Sequence, residues 1–147
     1  MAVTTKVYGL AEKHFASADI NWASDTVKVS LHTSSYSPNQ DTDEFYSALS
    51  NELAASGNYS TGGSSLAGKA VAYDSTTNNE KLTATNLTFS ALTPSAAFRY
   101  AVVYKSTGTG STSPLICWID FGADQNPGGS DFTLSWAATG VLYMTTS

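Results

Sequence analysis

Residues 106–114 read STGTGSTSP, two glycines among hydroxyl side chains between the apolar runs FRYAVVYK and PLICWIDFG. A glycine-rich loop of this kind is where backbone N–H groups can cradle a phosphate. That chemistry requires a lysine directly after the second glycine and a helix behind it, so that the ammonium reaches the outer phosphates. Gly110 is followed by Ser111, and an apolar run continues from Leu115, so the loop is predicted to be a strand connection.

The stretch NQDTDE places Asn39, Asp41 and Asp43 at alternate positions, the opening of a calcium loop. An EF-hand counted from Asn39 needs Gly at its sixth position and Glu at its twelfth; Glu44 and Ser50 stand there. Acidic groups at the start of a short helix, facing the positive end of its dipole, are the simpler account. His14 and His32 are the only histidines, without a neighbouring ligand at zinc spacing, and no serine lies in a G-x-S-x-G elbow. A glycosidase would need two carboxylates about 5–10 Å apart. The late acids Asp120, Asp124 and Asp131 sit in turn-like contexts that give them surface roles. No enzymatic activity, cofactor or metal is expected. Cys117, the single cysteine, lies in PLICWI and is predicted to be a buried small hydrophobe.

Among the aromatics, core packing is the ordinary role. The sharper alternative is a sugar-stacking platform, for which Trp22, Tyr36 and Tyr59, in or near loops, are the candidates.

The elements that carry these residues read mainly β. MAVTT is uncharged and β-branched, and residues 1–5 are expected to form an extended arm, with Ala2, Val3, Thr4 and Thr5 as candidate subunit contacts. Val7, Leu10, Ala11, His14, Phe15 and Ala18 recur at helical spacing. TVKVSLHT alternates, with Val27, Val29 and Leu31 inward and Lys28, Ser30 and His32 outward, as in a half-buried strand. Phe45, Tyr46, Leu49 and Leu53 form a stripe for a second short helix capped by Thr42 or Asp43. From Leu66 onward short apolar runs alternate with turn strings, and a parity break near Asn86 predicts a bulge or a sheet-crossing bend. The expected architecture is one domain spanning 1–147. It is an antiparallel, jelly-roll-like sandwich of about seven or eight strands, with two short helices in the first third.

Charge narrows the function classes. The chain has 147 residues, a net charge of −5, only 13% charged residues, and roughly a quarter Ser and Thr. With one arginine and six scattered lysines there is no basic stripe for nucleic acid. No run approaches the ~20 apolar residues that span a bilayer. The start lacks a secretory signal pattern, so synthesis and initial residence in a cytoplasm are expected.

KVYGLAEKHFASADINWASDTVKVSLHTSSYSPNQDTDEFYSAL, with its I-x-W turn, D-T-V-K-V-x-L strand and T-S-S-Y-x-P-x-Q-D-T-D segment, resembles a family of small tailed-bacteriophage virion proteins. GNYSTGGSSLAGKAVAYDSTTN, RYAVVYKSTGT, SPLICWIDFG and DFTLSWAATGVLYM continue the resemblance over nearly the full length. It implies a structural role in the virion and brings no catalytic residues with it. The expectation is a capsid decoration (cement) protein, a homotrimer that contacts the major capsid protein and stiffens the head shell. The alternative is a tail or fibre component, with a receptor- or carbohydrate-binding role.

Overall fold

A computed structural model of the chain describes residues 3–146. The strands are β1 (Thr4–Val7), β2 (Val27–His32), β3 (Ser64–Ser65), β4 (Ala70–Asp74), β5 (Asn79–Thr83), β6 (Leu87–Phe89), β7 (Phe98–Lys105), β8 (Leu115–Gln125), β9 (Phe132–Leu134) and β10 (Leu142–Thr145). One α-helix, α1 (Ala11–Ala16), follows β1. All strand pairs are antiparallel, in a five-stranded sheet ordered β1-β8-β7-β2-β3, a three-stranded sheet ordered β10-β5-β4 and a two-stranded sheet β6-β9. The mainly β class is as expected. The strands number ten among the described residues because several are only two or three residues long.

The large sheet is buried on both faces. Val27, Val29, Leu31, Ala101, Val103, Cys117 and Ile119 pack with Leu82, Leu142, Phe89 and Leu134 of the smaller sheets in the main core. On the opposite face Val102, Tyr104 and Trp118 pack with Tyr8, Ala11 and Tyr36 in a second cluster. Strand alternation sends neighbouring residues to opposite faces, so β7 and β8, apolar at both parities, require a cover on each side. β8 also carries a bulge. Val103 faces Cys117 but Tyr104 faces Leu115, which leaves Ile116 as the extra residue. Ile116 and Cys117 both reach the main core, and the chain twists more strongly there.

Two readings of the first third are corrected by this second layer. His32 and Ser30 are fully buried rather than outward. The His32 imidazole bonds Ser30 Oγ at 2.9 Å and the Ser50 carbonyl at 2.8 Å, under the ring of Tyr36. The second helix is a single 3-10 turn, Tyr46–Ala48. Around this turn the backbone bonds distant strands rather than continuing a helix: Tyr46 N–H donates to Ser113 C=O, Leu115 N–H to Glu44 C=O and Leu53 N–H to Leu31 C=O. The helical stripe was in fact a loop packed on a sheet. At Asn86 the chain leaves β5 and enters β6 of another sheet, the sheet crossing that the parity break predicted.

Phe98 is fully buried, with its ring edge-on to Phe121 and Phe132 at 6.0 and 4.9 Å. Phe98→Ala should lower unfolding stability by about 3–5 kcal/mol, read as a shift in urea midpoint with unchanged slope.

Candidate assembly interface

The residues expected in a free arm divide. Ala2 lies outside the described residues. Val3 is 61% exposed, while Thr4 and Thr5 belong to β1, paired with Asp120 and Ile119 of the same chain. The arm is therefore an edge strand of the chain's own large sheet. Tyr8 N–H donates to Ile116 C=O at 3.1 Å, and backbone direction alternates along an antiparallel strand. Thr4, Lys6 and Tyr8 consequently point their backbone groups at β8, and Thr5 and Val7 point theirs outward. Gln40 Nε2 donates to the outward Val7 carbonyl at 3.0 Å, leaving Thr5 at the open part of the edge.

Below that edge runs a groove of about 650 Å³, between the large sheet and the β9–β10 segment, with Phe132 and Trp136 beside Thr5, Gln125, Thr133 and Ser135 in its lining. It continues past Thr5 and Val7 towards Leu142 and Tyr143 in a further depression of about 430 Å³. A short open edge above a trough accepts an extended segment: the edge supplies backbone hydrogen bonds and the trough receives alternate side chains.

The sugar platform is overturned. Trp22, Tyr36 and Tyr59 are 2%, 3% and 2% exposed, so none offers a ring face to a ligand. Trp22 Nε1 donates to Thr83 C=O at 2.9 Å. Tyr36 accepts from the Tyr8 hydroxyl at 2.8 Å and donates to Asp43 at 2.8 Å. Tyr59 donates to Glu52 at 2.7 Å and accepts from Leu31 N–H at 3.0 Å. Each ring fills the core and each polar tip reaches a partner, the ordinary bargain for a buried tyrosine or tryptophan.

Glu52 was not singled out by sequence, yet it organises this layer. Its carboxylate also accepts from the Tyr46 hydroxyl and from Gly62 N–H at 2.6 Å, while Tyr104 donates to Gly62 C=O at 2.7 Å. Burial first, then the negative charge of Glu52, raises the Tyr59 hydroxyl well above its ordinary value, and Tyr46 and Tyr104 shift the same way. Burial also raises Tyr8 and Tyr36, and pushes the Cys117 thiol up to about 12.

The residues that suggested catalysis are engaged elsewhere. His14 Nδ1 meets Asp19 at 3.0 Å and Nε2 meets Glu44 at 3.1 Å. Both ring nitrogens thus face carboxylates, beside a depression also lined by Ser111 and Thr112. Asp43 accepts from Asn39 N–H, and Asn39 Oδ1 from the N–H groups of Asp41 and Thr42, so this acidic stretch is a turn rather than a helix start. No cluster able to hold a metal ion occurs among the described residues. Asp120 pairs with Arg99 through two bonds, 2.8 and 3.1 Å, which hold its carboxyl below the usual range. Asp131 accepts from Ala91 N–H. The loop 106–114 joins β7 to β8 as predicted. Its hydroxyls bond one another, Thr107 to Thr112 and Ser113, and its Gly110 lies against Tyr46 of the same chain.

Comparison with protein-family models, with curated proteins and with solved structures found no match. No helix is long and apolar enough to cross a membrane among the described residues.

The tyrosines and Cys117 have a linked consequence. Their folded pKa values lie above their unfolded ones, so the stability they confer is complete below the unfolded values, about 8.5 for Cys and 10 for Tyr, and declines as pH rises beyond them. The urea midpoint should therefore hold steady from pH 7 to about 8.5 and fall steeply above about 10. A midpoint unchanged at pH 11 would mean that these hydroxyls ionise without cost in the fold.

Proposed function

We propose that this chain is a structural protein of a tailed-bacteriophage particle: a capsid decoration (cement) protein, made in the host cytoplasm, that binds the assembled head shell as a homotrimer. Its partners are copies of itself and the major capsid protein, with no nucleic acid, membrane or cofactor involved. The observation that carries the reading is the open end of β1 above its groove, a seat for an extended segment of a neighbouring subunit. The low density of charge favours the same role, because little desolvation of charge opposes packing against a shell. The resemblance of the sequence to virion proteins points in this direction as well.

The work of such a protein is thermodynamic. Binding the assembled shell and not the free subunits stabilises the shell by linkage, about 2.7 kcal/mol per site at a hundredfold excess over Kd. Particles carrying the protein should keep their contents at temperatures that open particles lacking it, with copies on the order of hundreds per head, following shell symmetry. Equal resistance to heat and pressure with and without the protein would refute the cement role. A handful of copies at one vertex or along the tail would place it in the tail instead.

A further inference from the structure

We propose that the free edge of β4 pairs with the same edge of a second copy, antiparallel about Ala72, joining two three-stranded sheets into one six-stranded sheet across a two-fold axis.

β4 is the outer strand of the order β10-β5-β4, and Ala70 to Tyr73 are all exposed. Proteins normally protect such an edge with a lysine, a proline, a bulge or extreme shortness. Both edges of the large sheet are partly guarded in this way: β1 carries Lys6 and the Gln40 cap beside its short open part at Thr5, and β3 is two residues long. The Ala-Val-Ala-Tyr run of β4 has no charge, no proline and no break in its register with β5.

The hydrogen-bond phase of the edge can be derived. Thr146 N–H donates to Asn78 C=O, in step with the β10–β5 register. Alternation then turns the backbone groups of Asn78, Glu80 and Leu82 towards β10, and those of Asn79, Lys81 and Thr83 towards β4. Their partners Asp74, Ala72 and Ala70 therefore bond inward, and Val71 and Tyr73 present their N–H and C=O to the open side.

A two-fold axis perpendicular to the sheet keeps each residue on its own face, so a strand pairing with its copy must be centred on a residue opposite itself. Centring on Ala72 sets small side chains at the close, non-bonded position. It also brings Val71 opposite the partner's Tyr73, and Tyr73 opposite the partner's Val71, each pair exchanging both backbone bonds. Centring on Val71 would set Tyr73 against the partner's Lys69. Centring on Tyr73 would set Val71 against the partner's Ser75 at a bonded pair. The Ala72 register alone matches apolar with apolar at both bonded pairs.

Charge and apolar area agree with a second copy as the occupant. The protein carries −5 overall, which opposes self-association, yet this strip is uncharged and the Asp74 at its end is neutralised by Lys81 at 2.7 Å. Val71, Tyr73 and Met144 lie, by register, at the margin of the face that carries Leu82 and Leu142 into the main core, and are 49%, 54% and 43% exposed. Pairing makes them one continuous surface with their counterparts. β10, the other outer strand of this sheet, lies along the groove beside Thr5 and Val7, and pairing β4 with it would be head-to-tail rather than two-fold. The inference stands apart from the virion reading: a β4 pair forms in solution without a shell, and it links trimers two by two if trimers form.

Sedimentation of the full chain from micromolar to near-millimolar concentration tests this. The wild type should reach the mass of two chains, or six where trimers form, and the amides of Val71 and Tyr73 should exchange more slowly as concentration rises. Val71→Pro, which deletes an outward N–H, and Tyr73→Lys, which charges the edge, should each halve the mass with an unchanged circular dichroism spectrum. Tyr73→Lys alters a half-exposed side chain and keeps the test open if the proline variant does not fold. A wild-type mass of one or three chains, a mass that climbs without limit, or a folded Tyr73→Lys of undiminished mass would overturn the proposal.

Discussion

The structure turns on a single constraint: β7 and β8 are apolar at both parities, so the sheet they centre has no face that can be left in water. Everything else serves to cover it. The three- and two-stranded sheets seal one side through Leu82, Leu142, Phe89 and Leu134. The other side is sealed by Tyr8 and Ala11 from the β1–α1 region and by Tyr36 from a loop. A sandwich needs only one such interior, whereas this chain builds a second cover from segments with little regular structure.

A cover made of loops carries many backbone and side-chain polar groups that burial would strand. Two carboxylates meet that demand. Glu52 gathers Tyr46, Tyr59 and Gly62 N–H, and Asp43 gathers Tyr36 and Asn39 N–H. Among the described residues no buried side-chain nitrogen or oxygen lacks a partner. Gly63 shows how tight the junction is: its φ of +75° and the Val29 carbonyl 1.7 Å from where a Cβ would stand admit only glycine. The main core takes up the rings of Trp22 and Tyr59, the second cluster takes up that of Tyr36, and His14 is tied to Asp19 and Glu44.

How much of this was legible follows from what each signal depends on. The β class, the hairpin at 106–114 and the sheet crossing near Asn86 rest on local periodicity and turn residues, and these the sequence displays. Burial of His32 and loss of the helix near Phe45 do not, because both depend on a second layer contributed by residues distant in the chain. Glu52 carried no signal at all: a lone glutamate in SNELAAS looks solvated until Tyr46, Tyr59 and Gly62 converge on it. The β1 arm was recognised by composition, but its pairing with β8 and the groove beneath it required the fold. The short apolar runs after Leu66 were readable as strands; the position of one of them, β4, at an open edge was not.

The fold therefore divides into a doubly covered sheet that supplies stability and peripheral edges, β1 and β4, left available for contact. Native-state amide hydrogen exchange tests that division most directly. The slowest amides should lie in β2, β7 and β8 and open only with global unfolding, while β4, β5 and β10 of a dilute single copy exchange by smaller local openings. Equal protection across the large and the three-stranded sheets, or faster exchange in β7 and β8 than in β5, would contradict the account.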